Sequence, residues 1–464
     1  MKIEQFYTGC LAQGAYYIES EGEAIVIDPL RDVSAYIDLA KERNAKITYV
    51  FETHFHADFV SGHLDLARKT GAKIVFGPGA STSYDAYIAK DNESFSFGKL
   101  TIRTLHTPGH TLESTTWLLL DENGLERAIF TGDTLFLGDV GRPDLAIKGD
   151  LNKEQLASYL FDSLRNKIMP LPDNVIVYPG HGAGSSCGKN MMKETVDTLG
   201  NQKKVNYALN PSLSREDFIT EVLDGLTDPP AYFPVNAKMN QQGYHDIDDI
   251  VKRGLRALSV EEFEQHSLNQ NTIILDTRNP DDFAKSFIPT SINIGIDGNF
   301  APWVGTLISH HKNPILIITE PNREEEVVTR LARVGYENCI GYLEGGIKTW
   351  KHSNKKTEKI KAVDADKFVE TYQQNNDIHI VDVRKQVEYA ISHIKGALNV
   401  PLDTLHQQME SIPKNKPVYL HCAGGYRSAI AASLLKAKGY EDIINVQGGF
   451  TSISDSPIHL SCTI

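Results

Sequence analysis

Cysteine is scarce in this chain. Its 464 residues include five, an odd number scattered as Cys10, Cys187, Cys339, Cys422 and Cys462. That scatter argues against a disulfide framework, so a cysteine that matters here is expected to act as a thiolate. Long apolar runs are also missing: no stretch of about 18 apolar residues occurs, and no membrane-spanning helix is expected. The opening segment MKIEQFYTGCLAQGAYYIES has no basic region leading into an apolar one, which predicts a cytoplasmic protein. Basic residues are in deficit, 47 against 60 acidic ones, for a formal net charge of −13. That balance argues against a nucleic-acid or membrane-surface binder. Apolar content of 41% and charged content of 23% are ordinary for a globular protein, and a chain this long divides into roughly two to four domains.

What is present begins with alternating β-rich and helical runs up to about residue 190. AIVIDP ends a strand at Asp28, YIDLAKERNAK has helical spacing, and ITYVFET and AKIVFGP read as buried strands. From residue 191 a helical stretch gives way to LTDPPAYFPVNAKMNQQGYHD, which predicts an irregular connector lying over a neighbouring core. An internal repeat follows. TIILDTRNPDDFAKSFIPTSINI matches IHIVDVRKQVEYAISHIKGALNV, with Asp276 against Asp382, and YLEGGIKTW matches NVQGGFTSI, with Gly345 against Gly448. The offset changes by three between these markers, so the copies differ in length. Two tandem α/β units of about 100 residues are predicted, joined by the polar stretch KHSNKKTEKIKA.

The chemistry starts at residues 53–63, THFHADFVSGH. His54, His56 and Asp58 form an H-x-H-x-D cluster at the end of a strand, a pattern that suits zinc or iron. Three later segments each place a potential ligand after an apolar run: HTPGHT with His110, FTGDTLF with Asp133, and VYPGHG with His181. In this order the segments resemble the metallo-β-lactamase superfamily over roughly residues 1–240, which implies an αββα sandwich with a metal site at one edge. In the dinuclear hydrolases of that superfamily, His54, His56 and His110 would hold one metal. Asp58, the position occupied here by Phe59, and His181 would hold the second, with Asp133 bridging. Phenylalanine has no lone pair to donate, so the second site loses a ligand.

The run GDVGRPDL narrows the resemblance to the persulfide dioxygenases. That implies one Fe(II) on His54, His110 and Asp133, with His56, Asp58 and His181 orienting ligands or substrate. Residue types alone leave zinc open. Arg142 is the candidate contact for an anionic substrate, and a salt bridge to Asp144 is its alternative role. GAGSSCGKN places Cys187 beside Lys189 in a glycine-rich loop expected near the pocket, where Cys187 is either a small core residue or a sulfur relay.

In the second copy, VYLHCAGGYRSAIAASLLKAKGY reads as a strand, a tight loop and a helix. Loop amides, the helix N-terminus and Arg427 would all stabilise an anionic sulfur on Cys422. This segment resembles the rhodanese sulfurtransferases over roughly residues 360–464. The resemblance implies that Cys422 carries a persulfide sulfur and that Arg427 binds the anionic donor or acceptor. The loop from Cys422 to Arg427 has six residues, and related phosphatases use one more. In the first copy the matching stretch is ILIITEPNREEEVVTRLARVGY, with Glu320 at the Cys422 position and two loop residues missing before the shared Gly-Tyr pair. Its three successive glutamates would repel an anion, so residues 256–352 are expected to be an inactive rhodanese-like domain.

The whole order, residues 1–250, 256–352 and 360–464, resembles fusions of a persulfide dioxygenase with a sulfurtransferase. The implied activity is oxidation of a thiol persulfide by O2 to sulfite, coupled to sulfur exchange among persulfide, sulfite and thiosulfate. Expected partners are these small molecules, with no nucleic acid and no membrane, and a homo-oligomer is expected. The alternatives are a zinc thioesterase resembling glyoxalase II and a non-catalytic sulfur-carrier scaffold.

Overall fold

The computed structural model describes residues 1–145, 151–226, 228–308, 311–375 and 378–462. The chain forms two compact units. One comprises Met1–Ile247 with Leu331–Gly335, the other Asp248–Arg330 with Tyr336–Ile464.

The first unit is built on two six-stranded sheets. One takes its strands in chain order: Lys2–Thr8, Gln13–Ser20, Glu23–Ile27, Lys46–Phe51, Lys73–Phe76 and Tyr87–Ile88. The other runs Asp197–Thr198, Ile176–Pro179, Glu126–Gly132, Thr115–Leu120, Leu100–His106 and Ser94–Phe97. Strand Gln13–Ser20 shows why the layers form. All eight of its residues are buried, because alternate side chains enter different cores. Tyr16 and Ile18 meet Phe51, Trp117 and Phe130 between the sheets, while Ala15 and Tyr17 meet Tyr36, Ala40 and Leu66 beneath helices Ser34–Glu42 and His63–Thr70. On the far side Leu118, Leu120, Ile129 and Val177 pack under Leu160, Leu199 and Phe218, which come from three further helices. The predicted αββα sandwich is the observed one.

The stretch expected to be irregular after residue 226 instead contains helix Phe233–Gln242. Pro234 falls in the first turn, where a missing N–H breaks no helical hydrogen bond.

The second unit holds two five-stranded sheets whose neighbouring strands are all parallel. Their orders correspond: Ala257–Leu258, Cys339–Leu343, Ile315–Ile318, Ile273–Asp276, Ile292–Asn293, and then Lys361–Val363, Ile443–Val446, Val418–His421, His379–Asp382, Leu398–Asn399. Both copies carry the same buried pair, Arg278 on Asp276 and Arg384 on Asp382, each also reaching a backbone carbonyl (Ser286 and Ser392). Register corrects one detail of the sequence comparison. Asp276 pairs with Ile318 and Asp382 with His421, so the residue matching Cys422 is Thr319, not Glu320. The loop to the Gly-Tyr pair is therefore shorter by one residue in the first copy, not by two.

Candidate metal centre and thiolate site

The H-x-H-x-D loop leaves strand Lys46–Phe51 and is held from both sides. Asp28, at the end of the neighbouring strand, accepts hydrogen bonds from Thr53 N and Thr53 Oγ1, each at 2.8 Å. From the other side Asn240 Nδ2 donates to the carbonyls of His56 (2.7 Å) and Phe59 (2.8 Å), and its Oδ1 accepts from Ser61 N (2.9 Å). Asn240 is buried and lies in the helix the sequence disguised as a connector; nothing in the local sequence marks its role.

These contacts set protonation states. The Thr53 hydroxyl hydrogen goes to Asp28, so Thr53 Oγ1 can only accept from His54 Nδ1, 2.9 Å away. His110 Nδ1 donates to the Arg142 carbonyl at 2.8 Å. Both Nδ1 atoms are thus engaged, and both Nε2 atoms face Asp133 Oδ2, at 3.9 Å from His54 and 3.4 Å from His110. That Asp133 oxygen is buried and has no hydrogen-bond partner. Burial, with the His56 charge, pushes His54 well below the usual histidine range, keeping it neutral. Burial opposes ionisation of Asp133, yet His181, by its charge and its hydrogen bond to Oδ1, holds that carboxyl well below the usual range. An orphaned carboxylate oxygen facing two imidazole nitrogens fits a cation, with His54, His110 and Asp133 as ligands.

The remaining predicted residues are arranged differently. His181 lies between two carboxylates, its Nδ1 2.8 Å from Asp133 Oδ1 and its Nε2 2.8 Å from Asp58 Oδ2. Burial opposes its charge, but Asp133 and Asp58 raise its pKa well above the usual value. An imidazolium donating from both nitrogens has no lone pair for a second metal. Phe59 is fully buried with its ring 4.3 Å from that of His56. His56 turns away from the triad: its Nε2 lies 3.1 Å from Asp28 and 3.6 Å from Glu52. Burial, reinforced by Asp28, pushes the Glu52 carboxyl well above the usual range.

Arg142 is gripped by Asp144 through Nε and Nη2, both at 2.6 Å, and is 4% exposed. Its backbone does the positioning, since its carbonyl takes the His110 proton and its N–H donates to the Cys187 carbonyl at 3.0 Å. Cys187 is buried and groups with Asp58 and His181. Burial, then Asp133 and Asp58, raises its thiol well above the ordinary value, so it is a neutral S–H here.

In the second unit Cys422 ends strand Val418–His421, buried, with its Sγ accepting from Gly425 N at 3.1 Å. Gly425 caps helix Tyr426–Ala437 at φ 105°, a backbone conformation that favours glycine. Arg427 opens that helix, but its guanidinium is held by Glu388 through Nη1 (2.6 Å) and Nη2 (2.8 Å). That hydrogen bond holds the Glu388 carboxyl below the usual range. Glu388 lies in the VEYA segment and was not singled out from sequence.

Comparison with known proteins agrees with this architecture. Residues 8–181 match the metallo-β-lactamase superfamily, and residues 259–353 and 364–456 each match the rhodanese-like domain. The chain belongs to the metallo-β-lactamase superfamily and carries two rhodanese-like domains in tandem. It is 32% identical over 210 residues to the mouse mitochondrial persulfide dioxygenase ETHE1, covering 45% of this chain and 73% of that one. It is 34% identical over 160 residues to the probable hydroxyacylglutathione hydrolase glo2 of Schizosaccharomyces pombe, spanning 34% of this chain and 57% of the relative's length. A solved metallo-β-lactamase structure from Staphylococcus aureus subsp. aureus COL aligns at TM-score 0.64 and 32% identity, over 74% of this chain and 98% of that one. No helix among the described residues is long and apolar enough to cross a membrane.

Proposed function

We propose that the protein is a cytoplasmic, mononuclear Fe(II) persulfide dioxygenase joined to a Cys422 sulfurtransferase. The overall oxidation is RSSH + O2 + H2O → RSH + SO3²⁻ + 2 H⁺. The observation that carries it is His181, whose two nitrogens are both directed at carboxylates, with Phe59 beside His56; both features favour one cation over a pair. Iron bound by His54, His110 and Asp133 would supply coordination positions for the persulfide sulfur and dioxygen together. Thr53 and the Arg142 carbonyl orient the two imidazoles, Asn240 fixes the loop backbone, and the buried walls restrict water. In the second unit the Cys422 thiolate attacks the outer sulfur of RSSH and releases RSH. The enzyme persulfide, Cys–S–S⁻, then passes that sulfur to sulfite, giving thiosulfate and regenerating the thiolate. The Gly425 N–H, which donates to Cys422 Sγ, would stabilise the thiolate that attacks and is regenerated.

Oxygen consumption by anaerobically purified, iron-loaded protein given glutathione persulfide tests this reading. His110→Ala should lose both bound iron and oxygen uptake, because it removes one of three protein ligands; uptake at the wild-type rate in that variant would refute the triad. A second reading, a thioesterase using zinc-bound hydroxide, is favoured by the likeness to the fission-yeast hydroxyacylglutathione hydrolase. Hydrolysis of S-lactoylglutathione by zinc-loaded protein, with two zinc ions per chain, would support it and overturn the dioxygenase.

A further inference from the structure

The inactive repeat retains a folded five-stranded sheet and lacks the cysteine, so its part in the molecule has to lie in what it touches. The loop after its strand Ile292–Asn293 meets the catalytic loop of the active repeat. Tyr426, between the Gly425 amide that faces Cys422 and Arg427, donates its hydroxyl to the Gly295 carbonyl at 2.8 Å. Its ring lies directly against Gly298. A Cβ at Gly298 would fall 2.3, 2.5 and 2.8 Å from three ring atoms, whereas one at Gly295 would meet Pro280 at 3.3 Å and the Arg278 carbonyl and the ring at 3.4 Å each. Neither glycine has a positive φ, so the backbone conformation does not ask for glycine here. At Gly298 the tyrosine ring does.

The two repeats differ at these positions. The shared register through Asn293 and Asn399 sets Gly295 against Pro401 and Gly298 against Thr404. The strand just before the loop is anchored to the same catalytic helix: Asn293 N donates to Ser433 Oγ at 2.9 Å, with both residues buried.

We infer that the inactive repeat is a working part of the sulfur-transfer site, with Gly295 and Gly298 forming a socket for Tyr426 that holds the Gly425 amide on Cys422. Tyr426 is a positioning residue. It acts through the adjacent amide and the helix N-terminus, which stabilise sulfur anions only while they stay aimed at Sγ. The inference rests on the sulfurtransferase reading of Cys422.

The test is a double-mutant cycle in the full chain. Gly298→Ala should lower kcat/KM for thiosulfate:thiol sulfur transfer at least tenfold and slow iodoacetamide alkylation of Cys422 at pH 7, while oxygen uptake with glutathione persulfide is unchanged. Tyr426→Ala should give a similar loss, and adding Gly298→Ala to it should cost nothing more, because the ring that the new methyl strikes is gone. Tyr426→Phe, which deletes only the hydroxyl and keeps the packing, should lower transfer by a few fold. Wild-type transfer in Gly298→Ala, or losses that multiply in the double variant, would overturn the socket. If Cys422→Ser itself retains transfer, the sulfurtransferase reading fails instead, and the two failures are told apart.

Discussion

The two rhodanese-like copies share a sheet order, a buried Asp–Arg pair and an asparagine that bridges two backbone carbonyls, yet only one has a cysteine at the end of the strand that leads into the helix. Asn293 and Asn399 make the same pair of bonds, at 2.9 and 3.0 Å, to residues 276 and 278 in one copy and 382 and 384 in the other. The difference is confined to the strand end and the loop beyond it. In the second copy Cys422 is followed by Ala423, Gly424 and Gly425, whose amide faces the sulfur, and then by a helix. In the other, Thr319 is followed by Glu320, a proline, and a helix beginning with Glu324, Glu325 and Glu326. A fold can keep its frame while the functional loop is rewritten, because the frame depends on buried apolar strands and the loop does not.

That comparison can be broken or sharpened by experiment. The largest effect is expected from Cys422→Ser, which should reduce thiosulfate:thiol transfer to background while leaving persulfide oxidation intact, read by sulfite and thiosulfate assays. Thr319→Cys should restore nothing to the first copy in that background; measurable transfer would show that the loop matters less than its cysteine. Next come Asp276→Ala and Asp382→Ala. Each leaves a buried guanidinium unpaired and should destabilise its own copy by about 3–5 kcal/mol in denaturant titrations; a much smaller loss in one copy would end the claim of a shared frame.

Acid should separate the copies more mildly. His421 is buried where the first copy has Ile318, and burial lowers its pKa despite Asp382. The folded state then binds fewer protons than the unfolded one below the free histidine value, so stability falls as pH drops through that range. The slope is at most about 1.4 kcal/mol per pH unit for one proton. Native-state hydrogen exchange at two pH values should show the second copy losing protection first. The smallest effect belongs to Glu320→Gln, expected to leave both activities and stability unchanged in the same assays.

Much of this was legible locally. H-x-H-x-D at a strand end, His110, Asp133, and cysteine before a glycine pair are short-range patterns, and apolar runs such as ITYVFET and AKIVFGP declare buried strands. The Arg142–Asp144 salt bridge was legible as the alternative to anion binding and is the arrangement observed, whereas the pairing of Arg427 with Glu388 was not legible. Helix Phe233–Gln242 was hidden by proline and glycine around it. Glu320 looked like the partner of Cys422 because loops align poorly by eye, and only the strand register moved the match to Thr319.

The sequence by itself determined which side chains are available: two imidazoles and a carboxylate that could hold a cation, a phenylalanine at position 59, one cysteine shortly before a helix. Tertiary structure alone decided how they are charged and aimed. His181 sits between carboxylates from positions 58 and 133, Asn240 reaches back to the loop at His56 and Phe59, and Tyr426 rests on Gly298. Protonation and aim depend on partners brought together across long stretches of chain. Local pattern cannot contain them.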